Sequence, residues 1–137
     1  MIGSHCDLVS HRIGEFFAER GMLVISVGYR MSPEFAWTKG REDVRDVLLA
    51  VLDGRVEDVL VRDEVYLAGE SAGATISLQA YALMVQVRGS FERERVKGLG
   101  LVYPGLNGGI DESRYGFLLT KELHDFFRDC WRKVTAE

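Results

Sequence analysis

Cysteine is almost missing from this sequence: Cys6 and Cys130 are the only two among 137 residues. Neither stands at metal-ligand spacing or in a Cys-x-x-Cys pair, so no disulfide framework, redox pair or metal centre is implied. Long apolar runs are lacking as well. The longest are of strand length, far below the roughly 18 residues of a membrane span. No basic segment followed by an apolar stretch and a small-residue cleavage site opens the chain, so no secretory signal is read, and a cytoplasmic setting is the default expectation. Basic charge is not in excess: 17 Lys and Arg against 21 Asp and Glu leave a formal net charge of -4. The arginines are scattered among acids rather than gathered on one face, which argues against a nucleic-acid partner. Runs such as Glu92-Arg93-Glu94-Arg95 read as solvated, mixed-sign surface.

With 47% hydrophobic and 28% charged residues, the chain has the balance of a soluble globular domain. Its length predicts one domain over 1–137, and no internal repeat, linker or low-complexity stretch suggests a boundary.

Apolar periodicity supplies the elements. Over 7–20, Val9, Ile13, Phe16 and Phe17 recur at helical spacing opposite Glu15, Glu19 and Arg20, with Ser4 and Asp7 placed to cap the start and Gly21 to close the end. Residues 22–29 form a nearly continuous apolar run, the signature of a strand buried on both faces. The Ser32-Pro33 step bars a helix there, so a loop begins near Arg30. A helix is predicted over 41–53, with Val44, Val47, Leu48, Val51 and Leu52 on one face, Glu42 and Asp43 near its positive start, and Gly54 at its end. Residues 65–68 read as a second strand, and 74–87 as a buried helix, apolar almost all round. A third strand over 98–103 stops at Pro104, before a loop containing Asn107, Gly108 and Gly109. A last helix over 121–134, capped by Thr120, presents Leu123, Phe126, Phe127, Cys130, Trp131 and Val134. Alternating helices and strands predict an α/β fold, a parallel sheet with helices on both faces.

Gly69-Glu70-Ser71-Ala72-Gly73 fits G-x-S-x-G between a strand and a helix of small residues, where a nucleophile elbow belongs. A turn this tight strains the serine backbone, and glycines at both flanks remove Cβ atoms that would collide with neighbouring chain. Ser71 is the candidate nucleophile. Its hydroxyl would stand above the sheet at the N-terminal end of the next helix, where the Ala72 amide is the first donor to an oxyanion. Gly69, Glu70 and Gly73 support the motif. The alternative is a small-residue turn with no chemistry.

Tyr29-Arg30-Met31-Ser32-Pro33-Glu34 after an apolar run, Asp43 in the next helix, the Gly-Glu-Ser-Ala-Gly elbow, Leu101-Val102-Tyr103-Pro104 and Leu118-Leu119-Thr120 together resemble the hormone-sensitive-lipase-like esterases of the α/β-hydrolase superfamily. The resemblance covers nearly the whole chain. It implies a partial α/β-hydrolase fold, a small-molecule carboxylic ester as substrate, Ser71 as nucleophile, and a bracing role for Arg30, Glu34 and Asp43. It implies no cofactor and no metal, because serine acyl transfer needs neither.

The family's oxyanion loop, His-Gly-Gly-Gly, would lie upstream of Gly3-Ser4, and its acid and histidine downstream of the last helix. No segment of the 137 residues matches them. The strand preceding that loop inserts, in the family, between those matching 22–29 and 65–68. Its absence would either close these two strands together or leave unpaired edges open to self-association. His124 stands off the centre of its helix's apolar face and reads as a boundary residue. His5 and His11 read as surface residues without a paired carboxylate at a telling distance, and Asp111 and Glu112 as turn residues. Two functions stay open: a serine esterase core, impaired where its partner groups are missing, and a non-catalytic relic or interaction module.

Overall fold

Among the described residues the sheet is parallel and two-stranded, with its helical cover on one face. The structure, a computed structural model, describes residues 8–56, 64–89 and 94–105, the first three by backbone alone. The elements run α1 (Leu8–Ala18), α2 (Trp37–Leu52), β1 (Val65–Glu70), α3 (Ala72–Arg88) and β2 (Val96–Val102). The helix expected over 121–134 lies outside the described residues, as do Cys6, Cys130, Asp111 and Glu112.

β1 and β2 pair in parallel from Val65↔Val96 to Glu70↔Val102, with one register shift between Val65 and Tyr66. Parallel neighbours need a crossover, and α3 supplies it. Along β1, alternate residues turn to opposite faces. Val65, Leu67 and Gly69 are half-buried toward the helices, whereas Tyr66, Ala68 and Glu70 are exposed.

Two small clusters form the core. In one, Val44 of α2 meets Ile76 and Ala80 of α3, with Val27, Tyr29 and Leu67 packed against them. In the other, Leu48 and Leu52 meet Met84, which is fully buried, with Leu67, Val65 and Val96 alongside. These are the helical faces that the 3.6-residue period selects on α2 and α3. α3 is less uniformly buried than its composition suggests. Ala74, Thr75, Ile76, Ser77, Ala80 and Met84 are buried, but Val87 is 61% exposed, so only its first two turns are enclosed on most sides.

Two expectations need correction. α2 begins at Trp37 rather than Arg41, so Glu42 and Asp43 stand in its second turn and its first turn holds no acid. The added turn is admitted by Gly40: a Cβ there would lie 3.1 Å from the Tyr29 ring and 3.2 Å from Arg30 O. An apolar-period reading cannot see such a turn, because Thr38, Lys39 and Gly40 carry no apolar signal. The run over 22–29 joins no ladder among the described residues. Its far end is anchored, with Val27 and Tyr29 on the α2–α3 core. Its near end is not: Met22, Leu23, Val24 and Ile25 are 51%, 67%, 41% and 40% exposed. An apolar run becomes a strand only when a neighbour takes up its backbone groups, and β1 is paired with β2 alone among the described residues.

Helix ends follow their glycines. Gly21 and Gly54 adopt φ of 80° and 66° just beyond α1 and α2, a region costly for any residue with a Cβ. None of the described helices is long and apolar enough to cross a membrane.

Candidate active site

β1 passes into α3 through one residue. Ser71 has φ 50° and ψ -115°, outside the regions open to an ordinary L-residue. Backbone held there costs about 1–3 kcal/mol and persists only where the surroundings over-determine it. The cause is the approach of β1 to the first turn of α3. A Cβ on Gly69 would fall 2.5 Å from Gly73 O and 2.7 Å from Ala74 N, backbone atoms that have nowhere to go. The two glycines of the motif are not equivalent. A Cβ on Gly73 would meet nothing within 4 Å among the described residues, which corrects the expectation that both flanks are sterically required.

The bend exposes Ser71 and sets it against the N-terminal end of a 17-residue helix. Ala72, the first residue of that helix, contributes an amide with no intrahelical acceptor. Surrounding bonds hold the turn. Ser71 N–H donates to Val102 O at 2.9 Å, tying the elbow to the end of β2. Thr75 N–H donates to Ser71 O at 3.2 Å, and Gly105 N–H donates to the Thr75 hydroxyl at 2.9 Å. The Ser77 hydroxyl donates to Ala68 O at 3.3 Å, fastening α3 to β1 two residues further on.

Glu70 is exposed and points away from the helices, where it accepts the Tyr103 hydroxyl at 2.9 Å. Tyr103 itself has φ of 39°, the second non-glycine residue at positive φ among those described. Its hydrogen bond to Glu70, and then burial and the carboxylate charge, push its phenol pKa up. Neither Thr75 nor this contact carries a local signal in the residues. Pro104 follows Tyr103, but a residue before proline ordinarily takes extended backbone at negative φ, so φ 39° is set by tertiary context.

The segment 29–32 runs beside the first turns of α3. Tyr29, Arg30, Met31, Ser32 and Trp37 face Ala72, Thr75, Ile76 and Gln79 across a hollow of about 20 Å³, room for one water molecule. Burial pushes the Tyr29 phenol pKa up. The Ser32-Pro33 peptide is cis, and the Ser32 hydroxyl donates to Phe35 O at 3.0 Å. Arg30 braces the segment against α2: its Nη2 donates to Asp43 Oδ1 at 2.6 Å, its Nε to Oδ2 at 3.0 Å, and its backbone N–H to Oδ2 at 2.9 Å. Glu34 lies in the open groove beside this pair.

None of the histidines is brought to Ser71 by the described residues. His11 stands on α1, where its Nε2 lies 3.2 Å from Glu15 Oε1 one turn along, both well exposed. The sequence reading missed this carboxylate, although an i, i+4 pair on one helix face is a recognisable signal. His5 and His124 lie outside the described residues. Among the described residues no group of three His, Cys, Asp or Glu is placed to hold a metal ion.

The sequence profile of the alpha/beta hydrolase fold family matches residues 3–136. Residues of this chain are 29% identical over 89 positions to "Probable carboxylesterase 2" of Arabidopsis thaliana, an alignment covering 63% of this chain and 27% of that protein. The chain thus spans about a quarter of the length of that relative. No solved structure gives a significant match.

Gly69→Ala should cost about 3 kcal/mol or more, since its neighbours are backbone, whereas Gly73→Ala should stay within about 1 kcal/mol of the parent, read as denaturant midpoints. The hydrogen bonds from Arg30 hold the Asp43 carboxyl below its ordinary pKa. A depressed folded pKa means that the pair's stabilisation is complete above the unfolded value of about 4 and is lost as pH falls through the folded value. Asp43→Asn should therefore be less stable at neutral pH and lose less on acidification, compared as midpoints from pH 7 down to pH 3.

Proposed function

Because this chain belongs to the α/β-hydrolase fold family, we propose that it carries the nucleophile region of a serine carboxylesterase of the hormone-sensitive-lipase-like kind. The observation that carries this is Ser71: exposed, at positive φ, alone between a parallel strand and the start of a helix. Strain of that sort at a polar residue is the mark of a site where geometry has been put to use. The curated relative, named as a probable carboxylesterase, and the order of motifs along the chain support the same reading.

In this proposal Ser71 Oγ attacks the carbonyl carbon of a small-molecule carboxylic ester. A carbon–oxygen bond forms, the serine proton passes to a general base, and the carbonyl electrons move onto oxygen. The developing oxyanion is met by the Ala72 amide at the helix start, where the dipole also favours negative charge. Collapse breaks the bond to the alcohol, which leaves with a proton, and water later releases the acid from the acyl-enzyme. Gly69 sets the bend, while Glu70 and Gly73 complete the motif. None of the 137 residues is assigned as base or triad acid, and the chain alone is expected to turn over slowly, since a lone nucleophile with a partial oxyanion hole retains only part of the rate. No cofactor or metal takes part.

The test is covalent labelling with a fluorophosphonate: the serine oxygen bonds to phosphorus, fluoride leaves, and the serine proton passes to buffer base. Stoichiometric modification located at Ser71 by peptide mass, and absent from Ser71→Ala, is the expected result. A folded chain that stays unmodified would remove the nucleophile assignment.

A second reading is an interaction module that keeps the elbow as a relic. Exposure of Met22, Leu23, Val24 and Ile25, together with Tyr66 at 60%, favours it, and self-association through open sheet edges belongs to the same proposal. Sedimentation over a range of concentrations should then show dimers or larger species that Leu23→Lys reduces. A monomer at every concentration would count against this reading.

A further inference from the structure

The elbow is held from below by a side chain that has no part in the motif. Thr75 is 8% exposed and lies one helical turn after Ser71. Its backbone N–H donates to Ser71 O at 3.2 Å, the ordinary helical bond. Its hydroxyl adds what an alanine there would not. Oγ1 accepts the Gly105 N–H at 2.9 Å, and stands 3.4 Å from Ser71 O and 3.5 Å from Gly105 O, the two acceptors for its single proton. Val102 O meanwhile accepts the Ser71 N–H at 2.9 Å. The chain leaving β2 is thereby tied to both sides of the serine: at Val102 to its amide, and at Gly105, through Thr75, to its carbonyl.

The Ser71 carbonyl shares a planar peptide unit with the Ala72 amide, and in a trans peptide the C=O and N–H point in opposite directions. Whatever fixes the carbonyl along α3 fixes the amide outward. Ser71 sits at a strained φ and ψ, so this peptide has reason to rotate toward a relaxed geometry if released. We infer that Thr75 is a positioning residue: its hydroxyl, pinned by Gly105, holds the Ser71–Ala72 peptide so that the Ala72 N–H stays aimed at the developing oxyanion. The role rests on the assignment of Ser71 as nucleophile and Ala72 as donor. It also gives the turn after β2 a purpose, since Gly105 delivers its amide to Thr75 only when Tyr103 and Pro104 carry the chain back over α3.

Thr75→Val keeps the shape and removes the hydroxyl, Thr75→Ala removes it without risk of overfilling, and Thr75→Ser retains it. Each purified chain is treated with a fluorophosphonate over a range of concentrations, with the folded fraction fixed by a denaturant melt. The rate constant of modification at saturating reagent should fall roughly tenfold in Thr75→Val and Thr75→Ala, as expected for a lost buried hydrogen bond. The half-saturating concentration should move by less than about twofold, because the defect lies in the transition state and not in binding. Thr75→Ser should return most of the rate. Equal rates in all four chains would overturn the role of Thr75 while leaving Ser71 as nucleophile. So would a loss confined to the half-saturating concentration, or a Thr75→Ser as slow as Thr75→Val. Parent chain that is never modified would overturn the nucleophile assignment and this inference with it, a result distinct from the others.

Discussion

A strand must turn into a helix within one residue, and the contact that allows it is backbone on backbone: Gly69 against Gly73 and Ala74. No side chain fits in that gap. Once the two segments approach so closely, Ser71 has no ordinary conformation left and is driven to φ 50°. The same approach lays α3 back across β1, brings Leu67 onto both core clusters, and places the amide of Ala72 at the mouth of the helix. Fold and site therefore share one cause. The helix is covered because it returns tightly over the sheet, and the serine is exposed because the return is tight.

Strain at one residue has to be offset by its neighbours. Here the neighbours come from three sides. β2 supplies Val102 O and, past its end, Tyr103 and Gly105; α3 supplies Thr75 and Ser77; and the 29–32 segment closes the flank beside Ala72. That last segment has no ladder of its own among the described residues, and its place is secured by Arg30 on Asp43 and by Tyr29 over Gly40. The ion pair is partly exposed, with side chains 42% and 22% accessible, so its value lies more in the fixed geometry of a forked guanidinium than in attraction through water.

Much of this was legible in the residues, because the signals are local. The period of Val44, Leu48 and Leu52 predicts the buried face of α2, the runs at 65–68 and 98–103 predict β1 and β2, and Gly21 and Gly54 mark helix ends by the one property glycine has alone. The elbow was legible for the same reason: strand, glycine, serine and helix adjoin in the chain. What escaped depends on partners distant in sequence. Residues 22–29 have the composition of a strand, but strand pairing belongs to the neighbour as much as to the segment. The first turn of α2 rests on Gly40 meeting Tyr29 and Ile76, and the hydrogen bond of the Thr75 hydroxyl on Gly105, thirty positions away. Gly73 looked as necessary as Gly69 because a motif records residue types and not which of them has something in its way.

In the esterase proposed above, the bend at Ser71 would present an oxygen nucleophile and an aligned backbone donor to the same point in space. A crystal structure of the chain after reaction with a fluorophosphonate tests both halves at once. Continuous density from Ser71 Oγ to phosphorus is expected, with a phosphoryl oxygen about 2.7–3.1 Å from the Ala72 amide nitrogen. Phosphorus bound to another residue, or a phosphoryl oxygen turned away from Ala72 with Ser71 at an ordinary negative φ, would contradict it.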